Sequence, residues 1–147
     1  MILPCVYTIG YEGKSLEDFI RILREHDIDA IVDVRELPIS RKKGFSKNQL
    51  SQTLEEAGIR YEPARSLGTP RDVRNRYRAT GDRDVFAEDY AQVLRDHQPE
   101  LQELLQKAQQ EKICLLCFEQ DSADGHRSLI AEELRKMSGH TLTIVDL

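Results

Sequence analysis

The sequence predicts an α/β protein, a three-layer sandwich in which a mostly parallel sheet is flanked by helices on both faces. Two observations carry this. Short apolar segments of strand length alternate with segments of helical periodicity along the whole chain. The strongest apolar segments have no polar face, as strands buried on both sides require, and a parallel sheet covered by crossover helices buries them. At 147 residues the chain supplies one core and not two, so a single domain over 1–147 is expected.

Val6-Tyr7-Thr8-Ile9, β-branched and aromatic and closed by Gly10, reads as the first strand. Ser15 with Asp18 three residues on is a capping-box pattern, in which each side chain satisfies an unpaired backbone N–H; Leu16, Phe19, Ile20 and Leu23 follow at helical spacing. Residues 28–34 supply a second strand, with Asp33 and Arg35 at its carboxyl end. Ser46 and Gln49 open a second helix with an apolar stripe of Leu50, Leu54 and Ala57, and Gly58 ends it, because a left-handed cap costs glycine nothing. Ile59-Arg60-Tyr61 is a short third strand. The stretch 65–83, rich in arginine and poor in apolar residues, reads as a long functional loop rather than a packed helix. Residues 84–97 are helical, Pro99 interrupts, and 100–110 form a further helix with Leu101, Leu104, Leu105 and Ala108 inward. Residues 113–118 are a continuous apolar strand, 128–137 a helix ended by Gly139, and 142–145 a last strand.

Hydrophobic residues make up 39% and charged residues 32%, with eight glycines and five prolines, a balance that excludes a disordered tail, a collagenous repeat and a fibre. No apolar run approaches the roughly 20 residues of a membrane helix. The opening Met1-Ile2-Leu3-Pro4-Cys5 lacks the charged region and cleavage site of a secretion signal. A soluble cytoplasmic protein without membrane partners is expected, and three cysteines, an odd number, suit a reducing compartment. Cys114 and Cys117 have Cys-x-x-Cys spacing, but residues three apart on a strand point to opposite faces and cannot share a metal or close a redox disulfide. Both are expected to be core thiols. No zinc-finger spacing, Walker A loop or Gly-x-Gly-x-x-Gly fingerprint is present, and Asp33, Glu119 and His126, a set with divalent-cation chemistry, match no metal motif in spacing, so neither a metal site nor a cofactor is expected.

The net charge of −5 hides an asymmetry: residues 1–34 carry −4, residues 35–83 carry +6, and residues 84–147 carry −7. The basic middle holds two clusters, Arg41, Lys42, Lys43 and Lys47, then Arg65, Arg71, Arg74, Arg76, Arg78 and Arg83. Such a middle favours an anionic partner locally. The alternative is a solvated loop whose arginines pair internally with Asp72 and Asp82.

In an open parallel sheet, ligands bind outside the carboxyl ends of the strands. The loop from Gly10 and Tyr11 into Ser15, the loop 33–41, the loop 61–68 and the loop 119–127 all leave strands at that edge. Gly10, Tyr11, Arg35, Ser40, Arg41 and Arg127 are therefore the candidate anion-binding residues, helped by two helix starts with free N–H groups.

Tyr7-Thr8-Ile9-Gly10-Tyr11-Glu12-Gly13, Val32-Asp33-Val34-Arg35 with Pro38, Ser40 and Arg41, Leu67-Gly68, and Leu115-Leu116-Cys117-Phe118-Glu119 followed by His126-Arg127 resemble the domain of unknown function 488 family. The resemblance spans essentially the whole chain and keeps the order of motifs. It implies a single-domain α/β protein of a kind found mainly in prokaryotes, without an established family-wide activity. The family usually shows Cys-His-Arg at the last motif, where this chain has Gly125-His126-Arg127. A mechanism using that cysteine as nucleophile or metal ligand lacks its residue here.

Glu119, His126 and Asp33 are the candidate catalytic residues, each with a plainer alternative. Glu119 ends an apolar strand, where partial desolvation suits a general acid or base, whereas a salt bridge to Arg127 would make it inert. His126 at a helix start is disfavoured when charged, which suits a neutral base or donor, or simply a surface cap. Asp33 is a site carboxylate or the partner of Arg35 in a structural ion pair. The leading expectation is a phosphate-bearing ligand, a nucleotide or nucleic acid, bound at the strand ends, with hydrolysis of a glycosidic or phosphoester bond as the fitting chemistry. The competing expectation is a non-catalytic nucleic-acid-binding module using Arg71, Arg74, Arg76 and Arg78 of the 65–83 loop.

Overall fold

The computed structural model describes residues 4–121 and 125–147. Its strands are β1 (Cys5–Gly10), β2 (Ala30–Asp33), β3 (Arg60–Pro63), β4 (Ile113–Cys117) and β5 (Thr143–Asp146). They form one sheet in the order β3-β2-β4-β1-β5, and every neighbouring pair is parallel. The helices are α1 (Leu16–Glu25), α2 (Lys47–Glu56), α3 (Arg71–Thr80), α4 (Arg83–Asp96), α5 (Gln98–Gln110) and α6 (Arg127–Met137). The α/β sandwich expected from the apolar runs is what the chain forms.

All five residues of β4 are buried, and they alternate between the two layers. Ile113, Leu115 and Cys117 join Val6, Val32 and the inner faces of α4, α5 and α6. Cys114 and Leu116 join Ile9, Ile31 and the inner faces of α1 and α2. Fully burying one leucine or isoleucine side chain stabilises by roughly 1.5–3 kcal/mol, so this strand anchors both layers. The two cysteines face opposite layers as their spacing requires, and all three thiols are free.

Ser15 caps α1, its Oγ accepting the Asp18 N–H at 3.1 Å. Ser46 precedes α2 but spends its hydroxyl elsewhere. It accepts from the Ser40 N–H at 3.0 Å and donates to the Ser40 carbonyl at 3.1 Å, while Gln49 Oε1 accepts the Gly44 N–H. That pair fastens the loop after β2 rather than the helix end. Pro99 does not interrupt a helix; it lies in the first turn of α5, where a missing N–H costs nothing.

The stretch 65–83 is not a long loop. It holds a single 3₁₀ turn at Arg65–Leu67, then α3, and Arg83 already opens α4. Val73 is buried and Tyr77, one turn on, stacks on Phe86 at 4.6 Å, so two apolar anchors suffice to seat α3 on α4. Arginine is a good helix former, and composition alone hides that stripe.

α1 and α2 cover one face of the sheet, and α4, α5 and α6 the other. β1 and β4 are neighbours, yet the chain leaves β1 toward α1 and leaves β4 toward α6. This divergence opens a crevice above their carboxyl ends, the switch point at which such sheets take ligands. No helix among the described residues is long and apolar enough to cross a membrane.

Candidate functional site

A cleft of about 870 Å³ occupies that edge, within the range of roughly 300–1,000 Å³ typical of small-molecule sites. The loop after β1 supplies Tyr11, and the loop after β2 supplies Arg35, Glu36, Leu37, Ile39, Ser40, Arg41 and Lys42. The end of β4 supplies Cys117, and the segment after it supplies Phe118, Glu119, Gly125 and His126. The remainder comes from Thr69, from Arg74, Tyr77 and Arg78 on α3, and from Phe86 on α4. The arginine-rich segment and the strand-end loops, two separate surfaces in the sequence, thus line one cavity.

Several of the arginines build the cleft. Arg83 donates Nη2 to the Gly125 carbonyl at 2.8 Å and to Ser128 Oγ, joining the start of α4 to the segment before α6. Arg65 Nε reaches the Glu36 carbonyl at 2.8 Å, and Arg74 pairs with the Glu36 carboxylate at 3.4 Å, joining α3 to the loop after β2. Arg76 pairs with Asp89 on α4 and does not line the cleft. The internal partners are Glu36 and Asp89 rather than Asp72 and Asp82; Asp82 instead caps α4. Arg41, Arg71 and Arg78 are exposed and have no ion-pair partner among the described residues.

Arg35 and Asp33 form the buried ion pair that their spacing allows. Arg35 Nη2 lies 2.6 Å from Asp33 Oδ2 and Nε lies 2.8 Å from Oδ1. The Arg35 N–H and the Tyr61 hydroxyl, the latter at 2.6 Å, also donate to this carboxylate. Asp33 does not line the cleft, and its acceptor sites are filled. Arg35 does reach the cleft, with Nη1 donating to the Phe45 carbonyl at 2.7 Å and its guanidinium 5.3 Å from the Tyr11 ring centre. Tyr11 is itself stacked on Phe45 at 4.6 Å and meets Phe118 edge-on at 5.4 Å.

Arg127 is wholly buried and does not line the cleft. It donates Nε to Thr8 Oγ1 at 3.1 Å, Nη2 to the Gln120 carbonyl at 3.0 Å, and Nη1 to Cys117 Sγ and the Glu119 carbonyl. Gly10 is a packing position as well, because a Cβ there would fall on the Glu119 carbonyl. β1 can therefore run against the segment leaving β4, where the Tyr11 and Glu12 N–H groups bond to Cys117 and Phe118. The residues expected to hold an anion thus divide: Gly10 and Arg127 shape the segment that carries Glu119, and Tyr11, Arg35, Ser40 and Arg41 face the cavity.

Glu119 is half-buried, and its carboxylate lies against Gly125 and Cys117. A Cβ at position 125 would lie 2.6 Å from Glu119 Oε2 and 3.1 Å from Cys117 Sγ. A side chain at 125 and the Glu119 carboxylate therefore compete for one space, and in this chain the carboxylate has it. Burial first, and then the Glu119 charge, push the Cys117 thiol up to about 12, which leaves it protonated and inert at neutral pH. Burial also lowers the pKa of His126, only partly offset by the Val34 carbonyl and the Glu119 charge. His126 Nε2 sits 2.7 Å from the Val34 carbonyl, which can only accept, so the neutral ring carries its proton on Nε2 and keeps Nδ1 as acceptor. The Tyr90 ring packs edge-on against it.

Sequence reasoning passed over Glu36, Leu37, Ile39, Lys42, Thr69, Phe86 and Phe118 as cleft residues. The available signal was the pair Leu37 and Ile39, apolar side chains inside a charged loop, with Phe118 at a strand end. Ser122, Ala123 and Asp124 of the loop 119–127 lie outside the described residues.

Fold and site together define an open, fully parallel α/β protein with a basic, partly aromatic cleft at the carboxyl edge of its sheet. Residues 15–134 match the model of the family described as Domain of unknown function DUF488, and the chain belongs to that family. Comparison with curated proteins gives no match, and comparison with solved structures gives none.

Proposed function

We propose that the cleft binds a phosphate-bearing ligand with a flat aromatic body, a nucleotide or a nucleotide unit of a nucleic acid. The supporting observation is its composition: Arg41, Lys42, Arg74 and Arg78 line the cavity with Glu36 and Glu119, and Tyr77 and Phe118 supply accessible ring surface there, the Tyr11 and Phe86 rings and the paired Arg35 being buried. Guanidinium groups suit phosphate through paired N–H donors, and rings suit a base through stacking. A purely anionic small ligand has no use for the rings, and an apolar one none for the cations.

Within this reading Glu119 is the acid–base group and neutral His126 its neighbour, fitting hydrolysis of a glycosidic or phosphoester bond. No ion pair with Arg127 neutralises the carboxylate, since Arg127 holds the main-chain carbonyl of the same residue; the carboxylate has the neutral Cys117 thiol as a hydrogen-bond partner. The experiment is calorimetric titration with the common nucleoside monophosphates, beside a double charge reversal, Arg41→Glu with Arg78→Glu. Saturable binding lost in the double variant supports the assignment. Equal affinity in both proteins, or no heat with any nucleotide at millimolar concentration, overturns it.

A further inference from the structure

Resting on that phosphate-ligand reading, we infer that the ligand is a single-stranded polynucleotide, with one unstacked nucleotide in the cleft and its neighbours along α3. Three observations separate this from a free nucleotide and from a duplex.

The first is the exposed apolar surface. Leu37, Ile39 and Phe118 are 48%, 74% and 46% exposed and are the large hydrophobic side chains left open to solvent among the described residues. All three line the cleft. A base in a duplex hides its faces in the stack and offers only its edges, so on a duplex this wall meets little beyond a thymine methyl. An unstacked base offers both faces and covers it.

The second is the length of the cationic line. Arg71, Arg74 and Arg78 recur at i, i+3 and i+7 and share one face of α3, the face that turns Arg74 and Arg78 toward the cleft. At 1.5 Å per residue they span about 10 Å. That equals about three nucleotide steps of a stacked strand at 3.4 Å each. Arg71 lies beyond the cleft lining, where a single bound nucleotide has no phosphate to offer it.

The third is where the charge is spent. Arg65, Arg76 and Arg83 are held by Glu36, Asp89, Gly125 and Ser128, all within the protein. On the line, Arg74 pairs with Glu36 at 3.4 Å, whereas Arg71 and Arg78, and Arg41 in the cleft lining, remain without ion-pair partners among the described residues. Free cations are thus found along the path assigned to the strand.

The test is fluorescence anisotropy with fluorescein-labelled 12-nucleotide single strands of DNA and of RNA, the matching DNA duplex, and a labelled mononucleotide, each at two salt concentrations. The expected result is that one or both single strands bind at least tenfold tighter than duplex and mononucleotide. The DNA and RNA arms say which backbone is preferred. The slope of log K against log salt should be about −2 to −3, since each phosphate contact on a single strand contributes about −0.7. Phe118→Ala should weaken strand binding by about fivefold or more, the loss expected for one stacked base. Ile39→Ala, at the most exposed of the three positions, repeats that test without risk to folding. Arg71→Glu should weaken the strand but not the mononucleotide. Duplex binding as tight as single strand, or a mononucleotide binding as tightly as the 12-mer, overturns the inference and leaves the nucleotide reading standing. Failure of every probe removes both.

Discussion

Arg127 donates Nη1 to the main-chain carbonyl of Glu119 and leaves the Glu119 carboxylate alone. The sequence allowed the opposite, a salt bridge between the two charged groups that would have silenced the acid. Instead the arginine works as a buried strut from α6, gripping Thr8 on β1, Cys117 on β4 and the carbonyls of Glu119 and Gln120. It fixes the segment that presents Glu119 to the cleft.

Arg127→Met should therefore act on stability. Removing the guanidinium strands the Glu119 and Gln120 carbonyls and takes one of the two bonds of the buried Thr8 hydroxyl, which keeps Asp146, so the variant should lose about 3 kcal/mol or more in urea denaturation. Thr8→Val, which removes the contact with Arg127 Nε and the hydroxyl's bond to Asp146, should lose about 1–2 kcal/mol. Unchanged midpoints in both would mean that Arg127 is not a strut.

Asp33→Asn and Arg35→Met should each destabilise by about 3–5 kcal/mol, because each leaves half of a buried ion pair. Urea denaturation checks this. Catalytic loss in Asp33→Asn at unchanged stability would restore Asp33 to the chemistry.

His126 gives the folded state a pH dependence with a definite sign. Its folded pKa lies below the ordinary 6.5 because burial disfavours the imidazolium. The unfolded chain therefore binds a proton, as pH falls through about 6.5, that the folded chain refuses. Stability contributed here is complete above that pH and declines below it, by at most about 1.4 kcal/mol per pH unit. Urea midpoints at pH 7.5 and 5.5 should converge more in His126→Gln than in the parent protein. Equal pH slopes in the two proteins would place a solvated imidazole at this position.

Glu36 pairs with Arg74 inside the cleft and competes with any anion for that guanidinium. Glu36→Gln should raise affinity for a phosphate ligand about two- to fivefold, in keeping with the modest strength of a half-exposed pair. Calorimetric titration reads this directly, and weaker binding would show Glu36 to be a ligand contact.

The sheet and its layers were legible because they follow from local patterns. The continuous apolar run of β4, the helical spacing from Leu16 to Leu23 and the inward leucines of α5 each specify their own burial. The helix at 71–80 was not legible, since its seat depends on Tyr77 meeting Phe86, a contact made only once α4 turns back on it. For the same reason two rival surfaces, the strand ends and the arginines, became one cleft. Nothing in the spacing of Arg83 and Gly125, 42 residues apart, announces the hydrogen bond that joins them. The roles of Asp33 and Arg127 stayed open at the sequence level because a charged residue at a strand end fits a strut and a site equally well. Burial and partners distinguish the two.

The most direct test of the single cleft is a heteronuclear NMR titration of the isotopically labelled protein with the common ribo- and deoxyribonucleoside monophosphates. Simultaneous, saturable shifts are expected at Ser40 and Arg41, at Tyr77 and Arg78, and at Phe118 and Glu119, with one dissociation constant. Shifts confined to α3, or absent from all three segments, would contradict it.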